Sequence, residues 1–139
     1  MSVRLTRPAL QSIREEATRA YPHEGCGALL GAADGIVTEA LTLPNQEAQS
    51  PRTRFTISPA DYLSVETTAE ARGSRLLGFW HSHPDHAARP SATDREHAWE
   101  GLLTVVVAVE KGRPGDITAW TVPGRGEPFA ELPLTAEEA

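Results

Sequence analysis

The chain has 139 residues, 40% hydrophobic and 23% charged, with a formal net charge of −6. That length supports one domain with a real core, the acidic balance argues against nonspecific nucleic-acid binding, and the longest apolar run, near Leu102 to Val109, is far too short to span a bilayer. A single cysteine excludes an internal disulfide, and with a first segment lacking the apolar core of a signal peptide it fits a reducing, cytoplasmic setting.

In chain order, Val3 to Leu5 reads as a short strand and Pro8 to Ala20 as a helix, with Thr6 as its cap and Leu10, Ile13 and Ala17 on one face. Glu24 to Ala32 and Ile36 to Leu43 read as a hairpin turned by Ala33-Asp34-Gly35. Asn45 to Arg52 is a polar loop, and Arg54 to Ile57 a short strand. Ser58-Pro59 caps a helix running to about Arg72, where Gly73 stops it. Arg75 to Trp80 is an apolar strand that leads into His81 and His83. Ser91-Ala92-Thr93-Asp94 is a helix start, Ser91 capping and the acid three positions on, for a helix reaching about Glu100. Leu103 to Val109 is a β-branched strand. Arg113-Pro114-Gly115-Asp116 then turns into a last strand, Ile117 to Val122. Residues 1–122 thus form one domain, and 123–139 a Pro-, Gly- and Glu-rich tail that packs on it or frays from it. These elements suggest an α/β domain with a mixed sheet flanked by helices.

The chemistry-bearing stretch is His81-Ser82-His83-Pro84, then six residues, Ser91 and Asp94. Side chains at i and i+2 of a strand share a face, so His81 and His83 converge while Ser82 points away. Pro84 cannot donate to a ladder and ends the strand. Asp94, in the first helical turn, aims back at the strand end. Two histidines and an aspartate make a three-ligand metal site with one position open, which is what a zinc hydrolase needs. Against this, a lone His-x-His pair occurs by chance, and an acid in a first helical turn serves the helix dipole.

Glu24, in Pro22-His23-Glu24-Gly25-Cys26-Gly27, opens a glycine-rich apolar segment. It is either an exposed acid at a strand start or a general base above the metal. The glycines around it allow close approach of another backbone or a ligand. The remaining candidates read more simply. His23 faces away from its neighbour Glu24, and His86 is a loop histidine beside the site. His97, one turn past Asp94, either orients the aspartate or packs. Cys26 is a small buried residue rather than a nucleophile. Arg52 and Arg54 either face an acidic substrate or form a solvated strand face.

Together, the upstream glutamate and the His-Ser-His-Pro…Ser…Asp run resemble the JAMM (MPN-plus) metalloprotease family, and most closely its short prokaryotic single-domain members. Glu24-Gly25-Cys26-Gly27 with Leu30-Gly31 resembles the family's Glu-x-x-Gly strand. Asn45, Pro51 and Phe55 resemble the stretch between its second strand and second helix, so the likeness spans about residues 3 to 122. The resemblance implies the JAMM/MPN fold, a curved mixed sheet with helices related to the cytidine-deaminase architecture. It implies Zn²⁺ on His81, His83 and Asp94, one ion per chain. It makes Glu24 the general acid/base and Ser91 a donor to the oxyanion. The implied substrate is a ubiquitin-like or sulfur-carrier protein with a C-terminal Gly-Gly, cut at a peptide, a lysine isopeptide or an attached cysteine, and a homodimer is in keeping with the family. The alternative is a non-catalytic MPN-type scaffold, against which the complete motif counts. A zinc deaminase would need paired cysteines around its metal, which Cys26 alone cannot supply.

Overall fold

Buried Val3 and Leu5 alternate with half-buried Arg4 and Thr6, giving β1 (Val3–Thr6) one face in the core. The computed structural model describes residues 2–47, 49–52, 55–92, 94, 101–122 and 127–137. Thr6 turns the chain into α1 (Arg7–Ala20), its side-chain oxygen accepting from the Ala9 N–H. Ala9, Ile13 and Ala17, four residues apart, form the buried stripe, and Leu10 packs at its margin.

The predicted hairpin forms as β2 (Cys26–Gly31) and β3 (Val37–Leu43), antiparallel, with Gly35 at φ +83° in the turn. Ser58 caps α2 (Pro59–Ala71) by accepting from the Asp61 N–H. Then follow β4 (Arg75–Pro84), β5 (Leu103–Glu110) and β6 (Arg113–Thr121). Two short strands, β7 (Ala130–Leu132) and β8 (Leu134–Glu137), end the described chain. All eight join one sheet in the order β7-β6-β5-β4-β2-β3-β1-β8. It is mixed: β4/β5, β1/β3 and β1/β8 are parallel and the other pairs antiparallel.

The helices cover opposite faces. Ile13 and Ala17 of α1 pack with Leu29, Trp80, Val105, Val107 and Val109. Val65 and Ala69 of α2 pack with Ala28, Leu30 and Phe79. The odd-even split along β2, β4 and β5 is the pleat seen from the side. Ile13 has no exposed surface; truncating such a side chain to alanine costs about 2–5 kcal/mol.

Three local expectations change. Residues 55–57 lie outside any strand, with Arg54 outside the described residues. The β5–β6 turn sits at Lys111-Gly112, with φ of +50° and +80°, and not at Arg113-Pro114-Gly115-Asp116, which already lies in β6. A two-residue hairpin with both central residues left-handed matches the strand twist. Pro114 is accommodated because the ladder slips beside it, between Val107 and Val109. The third concerns the last strand, expected at Ile117 to Val122: residues 127–137 of the tail, packed on the sheet, supply both edge strands, Val3 to Thr6 pairing with Leu134 to Glu137. No helix among the described residues is long and apolar enough to cross a membrane.

Candidate metal centre and active site

β4 runs between β2 and β5, so its last residues are buried on both sides, with Cys26 and Val106 opposite His81 and Ala108 opposite His83. The pleat puts both imidazoles on one face, with ring centroids 5.0 Å apart. Phe55 stacks on His81 at 4.5 Å. Ser82, on the other face, accepts from the Gly25 N–H through Oγ at 2.7 Å, and its own N–H donates to the Gly25 carbonyl. Glu24, just before β2, is held by its main chain. Its N–H donates to the Pro51 carbonyl at 2.7 Å, and its carbonyl accepts from Asn45 Nδ2 at 3.0 Å. Gly27 has no room for a side chain: a Cβ there would lie 1.8 Å from the Leu41 carbonyl oxygen and 2.3 Å from Trp80 Nε1. Trp80 Nε1 instead donates to that Leu41 oxygen across the glycine at 3.0 Å. The glycine thus serves backbone packing next to the site.

After Pro84 the chain returns at Ser91, and Asp94 closes the cluster. The Ser91 N–H donates to Asp94 Oδ2 at 2.8 Å while Ser91 Oγ accepts from the Asp94 N–H at 3.0 Å, a reciprocal cap. Ala92 and Asp94 are helical, while the rest of the expected helix, Arg95 to Glu100 with His97, lies outside the described residues. Glu24, His81, His83 and Asp94 are all buried, and each places one potential ligand atom within 4.8 Å of the others.

The donor chemistry leaves this cluster short of positive charge. His83 Nδ1 lies 2.9 Å from the Ala87 carbonyl, which can only accept, so Nδ1 carries the proton. In a neutral ring Nε2 then points a lone pair at Asp94 Oδ2, 3.0 Å away. His81 Nε2 lies 3.0 Å from the same oxygen, and its Nδ1, like Glu24 Oε1, is buried without a hydrogen-bond partner among the described residues. A cation among the two Nε2 atoms and the carboxylate would put positive charge between the His83 lone pair and Asp94 Oδ2, and two imidazoles with a carboxylate are a zinc ligand set. Burial pushes the Glu24 carboxyl up to about 8, with Asp94 adding to the rise and His83 opposing it. Burial also works against ionisation of Asp94, yet the bonds from His81, His83 and the Ser91 N–H hold it well below the usual carboxylate range. Burial lowers His81, whereas the bonds of His83 to Asp94 and Ala87 outweigh its burial and raise it.

Residues 6–123 match the family model described as prokaryotic homologs of the JAB domain. The chain belongs to that family. It is 34% identical over 131 residues to a desampylase of Haloferax volcanii, an alignment covering 92% of this chain and 88% of that one. A probable TtuB-protein conjugate cleaving protease of Thermus thermophilus is 34% identical over 94 residues, 67% of this chain and 62% of that protein. The crystal structure of a JAB1/MPN domain protein from Archaeoglobus fulgidus superposes with a TM-score of 0.60 at 21% identity, covering 96% of this chain and 98% of that one; this likeness is one of fold. The JAB-domain protein described here is a hydrolase of the JAMM type.

Around the cluster of this JAB-domain protein, a cavity of about 360 Å³ is lined by Glu24, His83, His86, Ala87, Arg89 and Ser91. A larger groove of about 740 Å³ runs along α1 and contains none of these groups. His23 and Arg52 are exposed, and Arg54 lies outside the described residues. His86 is exposed at the cavity rim. Cys26 is buried, and burial pushes its thiol up to about 12, so it stays protonated. Asn45, Pro51 and Phe55, noted in the sequence only as a likeness, each touch the cluster or the Glu24 main chain. Arg89, which lines the cavity and stands over Trp120, is not singled out by the sequence motifs.

Proposed function

We propose that this protein is a zinc-dependent peptidase or isopeptidase that hydrolyses the bond after the Gly-Gly terminus of a ubiquitin-like or sulfur-carrier protein. The observation that carries the reading is the convergence of His81, His83 and Asp94 with Glu24, whose buried Oε1 has no hydrogen-bond partner among the described residues, beside a cavity that Glu24 lines. His81 Nε2, His83 Nε2 and Asp94 Oδ2 would hold the ion. When bound, Zn²⁺ supplies a Lewis acid that polarises the scissile carbonyl and lowers the pKa of water to about 7.

The chain's own groups do the rest. Glu24 takes a proton from the attacking water and delivers it to the leaving nitrogen, a transfer worth about 10²–10⁴ in rate. A carboxyl near 8 without metal ionises more readily beside a cation, which sets it to act as base first and acid second. Ser91 donates its hydroxyl proton to the oxyanion while its Oγ still accepts from the Asp94 N–H, since one hydroxyl does both. The His83–Ala87 bond fixes the ring and leaves Nε2 free to ligate.

The substrate class is supported by the relatives, one a desampylase and one a probable TtuB-protein conjugate cleaving protease. The test is cleavage of carrier-Gly-Gly conjugates by zinc-loaded protein, with Glu24→Ala alongside, read by intact mass. A C-terminal cysteine adduct and a lysine isopeptide are both offered. Cleavage by the parent and near-silence in the variant, with zinc still bound, is the expected result. No stoichiometric metal binding would defeat the proposal.

A further inference from the structure

The cavity beside Glu24 holds one full cation among its lining residues, Arg89, and no carboxylate among the described residues forms an ion pair with it. Its position is fixed from several sides. Ala88, next to it, is buried against Val106 and Trp120. The Ala88 carbonyl accepts from Thr118 Oγ1 at 2.6 Å, and Thr118 Oγ1 accepts in turn from Trp120 Nε1 at 2.7 Å. The Arg89 N–H donates to the Ala87 carbonyl at 2.8 Å, the same oxygen that orients His83. The guanidinium lies 5.9 Å from the centroid of the Trp120 ring. An exposed arginine is normally a mobile charge; this one stands on an aromatic face, at the end of a pinned loop, on the wall of the reaction cavity.

A cation in that place calls for an anion near the scissile bond. Resting on the peptidase reading above, the acyl side of that bond supplies none: its two glycines have no charged side chain, and the terminal carboxyl is tied up in the bond to be cut. A leaving group that is a single amino acid carries its α-carboxylate two bonds from the scissile nitrogen. A lysine isopeptide has no charge there, since its α-carboxyl lies far off and in a peptide bond.

We propose that Arg89 receives the α-carboxylate of a single amino acid attached after the carrier's Gly-Gly, and so favours that leaving group over a lysine isopeptide. The step is plain hydrolysis. Water adds across the C–N bond, the carrier keeps the oxygen as its new carboxylate, and the amino acid leaves with the proton that Glu24 carries. Nothing is oxidised or reduced.

The test uses three synthetic conjugates with the same Gly-Gly tail, joined to alanine, to alaninamide, and to the ε-amine of an internal lysine. Zinc-loaded parent should cleave the free acid over the amide by on the order of tenfold to a hundredfold in kcat/KM, the range of one charge-assisted bond. Arg89→Leu should bring the acid down to the rate of the amide and leave the amide unchanged, which also reports that the variant is folded. Arg89→Lys should keep part of the preference. Calorimetry with zinc-loaded Glu24→Gln should show the same preference in affinity, lost in the Glu24→Gln, Arg89→Leu double variant. Equal handling of acid and amide by the parent, in rate and affinity, overturns the role of Arg89 while leaving the peptidase reading intact. Cleavage of no conjugate overturns the peptidase reading, and the affinity comparison then still decides for or against Arg89.

Discussion

Asn45 donates from Nδ2 to the main-chain carbonyl of Glu24 at 3.0 Å, tying the loop before α2 to the proposed general base. Its Oδ1 accepts from the N–H groups of Glu47 and Thr56, at 3.0 and 3.1 Å, so one amide side chain organises the loop and hangs Glu24 from it. Asn45→Ala loses these bonds, each worth about 1 kcal/mol, for a total destabilisation of about 2–3 kcal/mol. Turnover should fall by roughly tenfold to a hundredfold, as expected when a reacting group loses its placement. Zinc affinity should stay at the parent value, because these three bonds of Asn45 run to main-chain groups of Glu24, Glu47 and Thr56 and not to the proposed ligands. Urea unfolding, kcat and zinc titration separate the three effects; a large loss of zinc affinity would contradict this division of labour.

The buried Glu24 carboxyl makes the stability of the metal-free protein depend on pH in an unusual direction. Its proton stays on up to about pH 8 in the folded chain and leaves near 4.3 in the unfolded one. Between those values the folded state binds more protons, so stability falls as pH rises, on the order of 1 kcal/mol per unit. The raised His83 acts in the same direction, its contribution present below about 6.5 and lost as pH rises. Asp94 acts oppositely but elsewhere: its contribution is complete above about pH 4 and is lost in stronger acid. Urea midpoints at pH 5, 6.5 and 8 should therefore decline for the metal-free parent and decline much less for Glu24→Gln. Parallel declines in the two proteins would show that Glu24 is not the group responsible.

Supplying zinc should place a cation between the imidazole nitrogens and Asp94 Oδ2. At a free concentration one hundred times its dissociation constant, zinc adds about 2.7 kcal/mol, a rise in Tm on the order of 10 °C for a domain of this size. A chelator should reverse the rise, and His81→Ala should abolish it. A Tm that does not respond to zinc would remove the metal from the proposed mechanism.

Local rules made the clustering of the three proposed ligands legible in the sequence. Alternation along β4 brought His81 and His83 together, and a Ser-x-x-Asp helix start turned Asp94 back toward them. Glu24 was legible as a residue but not as a buried one. Its setting is built from the Pro51 carbonyl, Asn45 and the Ser82–Gly25 pair, contacts between segments far apart in the chain. The sheet order was hidden for the same reason, since β8 returns to pair with β1. The β5–β6 turn misled the reading because Pro114-Gly115 is the stronger turn signal in composition, whereas the left-handed pair Lys111-Gly112 makes the turn. Arg89 gave no signal because its meaning lies in Trp120, on a different strand.

Ser91 carries two roles that different substitutions pull apart. As a cap its Oγ accepts from the Asp94 N–H, and as an oxyanion donor it offers the hydroxyl proton to the cavity. Alanine removes both and should cost about 1 kcal/mol of stability, whereas glycine at a cap position costs only a few tenths. Both lose the hydroxyl, so both should lower kcat by about 10²–10³, the price of one oxyanion donor. The expected signature is two variants with the same kcat and different urea midpoints, each still binding zinc as tightly as the parent. If Ser91→Gly instead keeps most of the parental kcat, the hydroxyl serves the helix start alone, and the oxyanion is held by other groups.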